Sequence, residues 1–412
     1  MIARFTHAVT GLGAVGPLGA GAAHLDALLE PASAASGVRA RELPAGPPGA
    51  QRAALCDFPL EPLVPADERA QRLMSPAAKL AAIAVREARG AIPRAAAGER
   101  LAMYFGAGSS GDLGDDAAAV VKASLEDGAF SAAAFGRRGL RQLHPLRTFV
   151  LLTNFTMCHP AMLEGARGPN GVFFSRGSGT ALALLEAAYE LADGACDHAL
   201  VGGADTAASP LTLRELARDG WLRRGLVPGE GAAALALRRA DENVRHAGAP
   251  AHATGRDGDG AHAADVDDPR APAHPTDDLV TPPLAYLTAI AIGRRAAHLP
   301  PGLGRDEVAP EPRDAALDDE LASLLPGADL VLRMACQPDA DALAALTRRA
   351  GGARGLELGP QLGDALAAAP ALAWAVAVRA IARGHARRVV VVSRGLDHTW
   401  CAVAFARARE AA

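Results

Sequence analysis

Ten short runs rich in β-branched or other apolar residues, punctuated by glycine, alternate along this chain with longer Ala/Leu stretches. The first five are HAVTGLGAVG (7–16), LAMYFGAGSS (101–110), GVFFSR (171–176), HALVGGAD (198–205) and AAALALRR (232–239). The second five are AYLTAIAIGR (285–294), ADLVLRMAC (328–336), GLELG (355–359), VVVVSRG (389–395) and TWCAVAFAR (399–407). Runs of this length bounded by turn residues are strands, and the Ala/Leu stretches between them are covering helices. The pattern predicts an α/β body, and five runs followed by five predict two similar halves descended from a duplication.

Residues 243–283 separate the halves with NVRHAGAPAHATGRDGDGAHAADVDDPRAPAHPTDDLVTPP, which has almost no bulky apolar side chains. Such a segment cannot offset its ordering entropy by burial and is expected to be a disordered surface insertion. The division is therefore 1–242, 243–283 and 284–412. Four histidines, His246, His252, His262 and His274, stand among aspartates in the insertion. Their irregular spacing does not converge on one face, so no metal site is expected from them.

With half of 412 residues apolar, the chain can bury a large core. Lys and Arg number 42 against 46 Asp and Glu, a net charge of −4 with no basic stripe, which argues against nucleic acid as a partner. Cys56, Cys158, Cys196, Cys336 and Cys401 lie far apart and form no C-x-x-C pair, which fits buried thiols in a reducing compartment. MIARFTHAVTGLGAVG lacks the apolar core of a signal peptide, and no apolar run approaches the ~18 residues of a membrane span. A soluble cytoplasmic protein is expected.

GPNGVFFSRGSGTALALLEAA (168–188) reads as a strand, a Gly-rich turn and a helix. A turn of this kind can present a nucleophile at the mouth of a helix, where the helix dipole favours an anion. The same stretch and its surroundings carry a family resemblance. TGLGAVGPLG (10–19) is similar to an N-terminal T-G-x-G-x-x-x-P-x-G motif, and ARGPNG (166–171) to an L-R-G-P-x segment. CDHALVGGADTAASP (196–210) is similar to A-D-x-x-x-x-G-G-A-E, and GLVPGEGAAALALRRAD (225–241) to G-F-V-x-G-E-G-A-G-x-x-x-L. In this order the motifs resemble the elongating β-ketoacyl synthases of the thiolase-like superfamily, which implies a thiolase-like fold of two pseudo-duplicated halves, mixed sheets layered with helices.

The resemblance also locates what is missing. It implies a T-A-C-x-S-G turn whose cysteine takes the acyl chain; here that position is Gly177, in S-R-G-S-G. It implies a first histidine in N-A-H-G-T, where this chain has LVLRMACQPD (330–339), and a second in G-H-x-x-G-A-A-G, where GPQLGDALAAA (359–369) places Pro360. Only His385 and His398 follow His298, and neither lies in either motif. A G-F-G-G-T-N loop contributing to the oxyanion hole becomes G-L-D-H-T-W (395–400), with Asp397 and His398 in place of the paired glycines. Four losses in register predict a fold kept without condensation chemistry.

Ser178 is the fallback nucleophile and Ser175 a weaker one, but a serine needs a base within reach and the histidine positions are empty. Ser178 is instead expected to cap the helix or to serve as a packing residue. Cys158 and His159 are expected to be a buried pair satisfying backbone groups. The run GRRGLRQLHPLR (136–147) could meet an acidic carrier protein or form a solvated face. Helical spacing places Arg147, Leu151 and Phe155 on one face of a helix that, by the resemblance, lines the partner's acyl tunnel. Val172, Phe173 and Phe174 are the implied dimer strand. The expected role is an inactive subunit resembling the chain length factor (KSβ) of type II polyketide or aryl polyene synthases. It would pair with an active ketosynthase and an acyl carrier protein, with no cofactor or metal of its own, the carrier's phosphopantetheine acting on the partner. A Ser178-dependent acyltransferase or hydrolase, and a decarboxylating priming subunit, are the alternatives. The known priming form carries glutamine at the cysteine position, and Gly177 does not fit it.

Overall fold

The computed structural model describes residues 2–30, 34–43, 51–96, 98–108, 115–143, 145–175, 177–240, 283–294, 322–335, 339–396 and 399–407. All ten sequence runs form strands. The first half contributes β1 (Ile2–Gly16), β2 (Leu101–Ala107), β3 (Asn170–Phe174), β4 (His198–Thr206) and β5 (Glu230–Arg239). The second contributes β6 (Ala285–Arg294), β7 (Leu330–Ala335), β8 (Arg354–Glu357), β9 (Arg388–Arg394) and β10 (Thr399–Ala406). Of the stretch 243–283 only Pro283 is among the described residues, and the four histidines expected to be incidental lie outside them.

The strands run β8-β7-β9-β10-β6-β1-β5-β4-β2-β3 across one sheet. Each half has the same order from the centre outward: first strand, fifth, fourth, second, third. The senses match as well. In the first half β2 is parallel to β3 and β4, while β4 to β5 and β5 to β1 are antiparallel. In the second, β7 is parallel to β8 and β9, while β9 to β10 and β10 to β6 are antiparallel. The halves join where β1 pairs antiparallel with β6.

Six helices are needed to place the site: α1 (Pro76–Arg89), α2 (Phe155–Glu164), α3 (Ser178–Ala192), α4 (Pro210–Arg218), α5 (Ala340–Arg349) and α6 (Ala369–Ala382). Their starts follow from local chemistry. Ser75 Oγ accepts the Ala78 N–H at 3.1 Å with Pro76 opening α1, and Ser209 does the same for Thr212 ahead of Pro210. Asp339 Oδ1 caps α5 from Ala342 at 2.9 Å. Helix α1 lies so close on β1 that a Cβ at Gly11 or Gly13 would sit 2.3 or 2.0 Å from the Ala88 or Ala84 carbonyl oxygen. The glycines of TGLGAVG thus serve helix-on-sheet packing.

Helices α3 and α6 occupy equivalent places, each following the edge strand of its half. Both touch strands of both halves and each other. The largest core cluster runs through them, from Leu184 and Leu191 to Trp374 and Phe405. Helix α6 is buried on nearly every side, which its Ala-rich sequence permits because small side chains let strands approach from both faces. Among the described residues no helix is long and apolar enough to cross a membrane.

The expected helix through Arg147, Leu151 and Phe155 is not formed. Residues Pro145–Leu151 make a three-residue-per-turn helix, and a turn at 152–154 precedes α2. Bonds from Leu152 to Phe149, Phe155 to Leu152 and Met157 to Asn154 are all of the i to i−3 kind. With three residues per turn, a step of four residues rotates the side chain by a third of a turn, so spacing of four does not keep one face. The side chain of Arg147 lies outside the described residues; Leu151 is 43% exposed, and Phe155 packs against Phe149 with ring centroids 5.0 Å apart.

Candidate functional site

The turn between β3 and α3 is where the sequence places a nucleophile. Gly177 occupies the position before the first residue of α3 at φ +134, a conformation that L side chains rarely adopt. A Cβ built on it would lie 2.5 Å from the Cα of Gly395. No side chain stands at this position, and none fits without moving the backbone of the C-terminal loop. Ser178 opens α3, and its side chain lies outside the described residues. The cap oxygen comes from elsewhere: Ser175 Oγ accepts the Gly179 N–H. Gly177 rather than Ser178 is the residue before the helix, and the turn there brings Ser175, four residues upstream of Gly179, over the helix end; what the Ser178 hydroxyl does lies outside the described residues.

The second-half segments close on the same point. Thr180, on the first turn of α3 and fully buried, donates its hydroxyl to the Ala367 carbonyl. The Ala367 N–H donates to Asp205 Oδ2 at 3.2 Å, and the Thr206 N–H to Asp205 Oδ1 at 2.8 Å. Asp364 donates its N–H to the Val227 carbonyl at 2.7 Å and accepts the Gly229 N–H on its own carbonyl at 2.9 Å. Its side chain accepts the Leu366 N–H at 2.7 Å, and burial pushes that carboxyl up to about 6. Glu230 accepts from the Cys56 N–H at 2.8 Å and the Thr206 hydroxyl at 3.1 Å. The Cys56 thiol is pushed up, chiefly by burial and then by that carboxylate, so it is not a thiolate.

Pro360 opens a short helix, Gly359–Leu362, where its missing N–H costs nothing, and its carbonyl accepts the Ser36 hydroxyl at 3.4 Å. Among the described residues no histidine stands in this turn. The segment 336–338, Asp397 and His398 lie outside the described residues, and His385 is exposed at the turn after α6. Gly395 is held by its N–H on the Thr399 carbonyl at 3.0 Å. The structure therefore brings together the helix mouth, the end of β4, the Gly-Glu-Gly start of β5, the 359–367 turn and the C-terminal loop, while the described side chains among them offer carboxylates and glycines rather than a cysteine and histidines.

The first-half part of this arrangement, from within β1 to the end of β5, lies within the match of a family model. The description is "Beta-ketoacyl synthase, N-terminal domain", and it covers residues 8–243. The chain belongs to the β-ketoacyl synthase family. Among solved structures, the type II polyketide synthase assembly AntDE:AntF, an acyl-carrier protein in complex with its ketosynthase bound to the hexaketide, matches with a TM-score of 0.66 at 15% identity, over 98% of this chain and 100% of that one. The ishigamide ketosynthase/chain length factor matches with 0.64 at 16%, over 97% and 99%. A β-ketoacyl synthase from Burkholderia phymatum STM815 matches with 0.67 at 16%, over 98% and 100%. A search of curated proteins gave no match. The thiolase-like ketosynthase fold is thus established across nearly the whole chain.

The remaining ketosynthase-family positions fall as follows. β3 is the sheet edge, and among the described residues no strand pairs with its outer side. Along it Phe173 packs into the core between the halves and Val172 against the core beneath α1, whereas Phe174 is 63% exposed. His159 is buried and held low by burial, beside the Leu73 backbone and 5.2 Å from the Phe155 ring. Its Nε2 has no hydrogen-bond partner, so only part of the expected pairing with backbone is made. Cys158 is half-buried and its thiol is raised by burial. In the basic run, Arg137 reaches Glu126 at 2.9 Å, and Arg138 reaches it at 3.4 Å and the carbonyls of Ala123 and Leu125 as well. These two arginines hold their own loop.

Proposed function

We propose that this chain is a catalytically silent ketosynthase-like subunit of the chain length factor type, cytoplasmic, which pairs with an active ketosynthase and bears on the length of the chain built there. The observation that carries the reading is Gly177: the nucleophile position has no side chain and lacks room for a Cβ beside Gly395. Pro360 in place of a histidine supports it, since a nucleophile without a base is not activated.

Pairing runs through β3, whose open edge and outward Phe174 are a liability in a lone chain and an asset in a complex. An obligate interface of this kind buries upwards of ~2,000 Å². The acyl carrier protein delivers its phosphopantetheine arm to the partner subunit, and this chain binds no cofactor or metal. Leu151 reaches toward the partner's acyl chain, in keeping with its exposure.

The test is reconstitution. The purified chain alone gives no condensation product with acyl and malonyl carrier protein, and addition of the intact ketosynthase gives product whose length changes when Leu151→Trp is used. Condensation by the lone chain above a blank overturns the silent reading; an unchanged product distribution with Leu151→Trp in an active complex removes the tunnel role and leaves a scaffold.

A further inference from the structure

Near the turn between β3 and α3 six buried apolar side chains form a cluster of their own: Ala207, Leu216, Trp221 and Leu226 from the first half, Leu366 and Leu396 from the second. Three of its members, Ala207, Leu366 and Leu396, adjoin the segments that converge on Gly177. Leu396 follows Gly395, the residue against which Gly177 is packed. Leu366 precedes Ala367, which serves both Thr180 and Asp205. Ala207 follows Thr206, whose N–H donates to Asp205. Outside, the Arg224 guanidinium lies 3.9 Å over the Trp221 ring.

Leu366 shows that the cluster is more than leftover packing. It has φ +50, one of two described non-glycine residues with positive φ. Its N–H is fixed by the buried Asp364 carboxylate at 2.7 Å, and its side chain is 2% exposed. A leucine is strained in this conformation and glycine is not, and such strain persists where the surroundings over-determine it. In GPQLGDAL the leucine stands where the G-H-x-x-G-A-A-G turn ends in glycine. The strain keeps an apolar side chain at this spot, directed by its burial into the cluster.

We propose that these side chains are a built-in plug that seals the helix mouth at Gly177 against an acyl thioester arm, and that shortening the plug opens an apolar pocket there. The proposal rests on the silent-subunit reading and adds to it that the old site is closed as well as unarmed. In the absence of the plug, a dry apolar cavity between the halves would take up small apolar molecules.

The experiment uses the full chain with two probes, benzene and the octanoyl thioester of N-acetylcysteamine, read by saturation-transfer NMR and by the shift in melting temperature on ligand addition. The wild-type chain shows no saturable binding of either probe. Leu396→Ala and Leu366→Gly bind both saturably, and the probes raise their melting temperatures. Because glycine accepts φ +50 without strain, Leu366→Gly carries the test even where Leu396→Ala fails to fold. Saturable binding of the octanoyl probe by wild type, or folded variants that both stay closed, overturns the plug. Wild-type binding without condensation leaves the silent reading standing, whereas condensation overturns both.

Discussion

The two halves share a strand order, a set of pairing senses and a central helix, yet their outer edges are finished differently. In the second half, edge strand β8 and the turn after it are tied to first-half residues. Arg354 donates to the Leu29 carbonyl at 3.3 and 3.2 Å, the Gly37 N–H reaches the Gln361 carbonyl at 2.8 Å, and Arg333, 2% exposed, meets Glu357 at 2.7 Å across the last two strands. Burial still lifts the Glu357 carboxyl above its ordinary range despite that arginine, so the pair is costly to keep and serves to fix the edge. In the first half, edge strand β3 has no such tie among the described residues and shows Phe174 to solvent. Duplication accounts for the shared fold; the unequal finishing of its edges leaves one of them open to solvent. The central helices are entered differently, α3 from Gly177 at φ +134 and α6 from the 3₁₀ turn Leu366–Ala368.

The largest effect on this comparison is expected at the helix mouth. Gly177→Cys places a Cβ against Gly395 and a side chain at φ +134, and overpacking together with backbone strain costs about 3 kcal/mol or more. Urea unfolding reads the loss; a variant as stable as wild type shows that the two loops are not pressed together. Next comes the pair of edges. Phe174→Asp abolishes co-purification with the ketosynthase while stability changes by no more than ~0.5 kcal/mol, because the side chain is largely in water. Arg354→Asp on the tied edge leaves co-purification intact and loosens the Leu29–Gly37 segment, which hydrogen exchange detects. Equal effects of the two substitutions on assembly would erase the distinction between the edges.

A smaller effect distinguishes two carboxylates, Asp364, which holds its own turn at Leu366, and Asp26, which ties the second half to the first. Asp364 has its carboxyl raised to about 6 from an ordinary 3.8, by burial. A raised acid binds its proton more tightly in the folded state, so its stabilising contribution is complete below about pH 4 and is lost as pH rises through about 6. Asp26 is lowered, mainly by its hydrogen bond from Arg379, so its contribution is present at neutral pH and lost as pH falls through the acid range. Melting curves between pH 4 and 8 therefore show a downward slope with rising pH that Asp364→Asn removes, since the amide oxygen still accepts the Leu366 N–H. An unchanged slope in that variant assigns the dependence to another group.

Strands were the legible part of this molecule. Runs such as VVVV at 389–392 carry β-branched side chains that suit a buried pleated sheet, and the glycines that bound the runs mark their ends. The strand–turn–helix around Gly177 was legible too, because a Gly-rich turn separates an apolar run from an Ala/Leu stretch. The phase of Leu151 and Phe155 was not, since 3₁₀ and α turns differ by a fraction of a residue per turn and an apolar run fits either. Nor was the plug: Trp221, Leu366 and Leu396 are brought together by crossings of the sheet that no local pattern records. Ser175 was weighed as a weaker nucleophile rather than as the cap, because its role depends on the positive φ two residues later.

The central claim is that the ketosynthase frame survives here without its nucleophile. Intact-protein and peptide mass spectrometry after incubation with acyl carrier protein loaded with an acyl thioester, in the presence of the active ketosynthase, tests it most directly. The account predicts an acyl adduct on the ketosynthase cysteine and an unmodified mass for this chain; a stable acyl adduct on Ser178, or on any residue of the 175–180 turn, contradicts it.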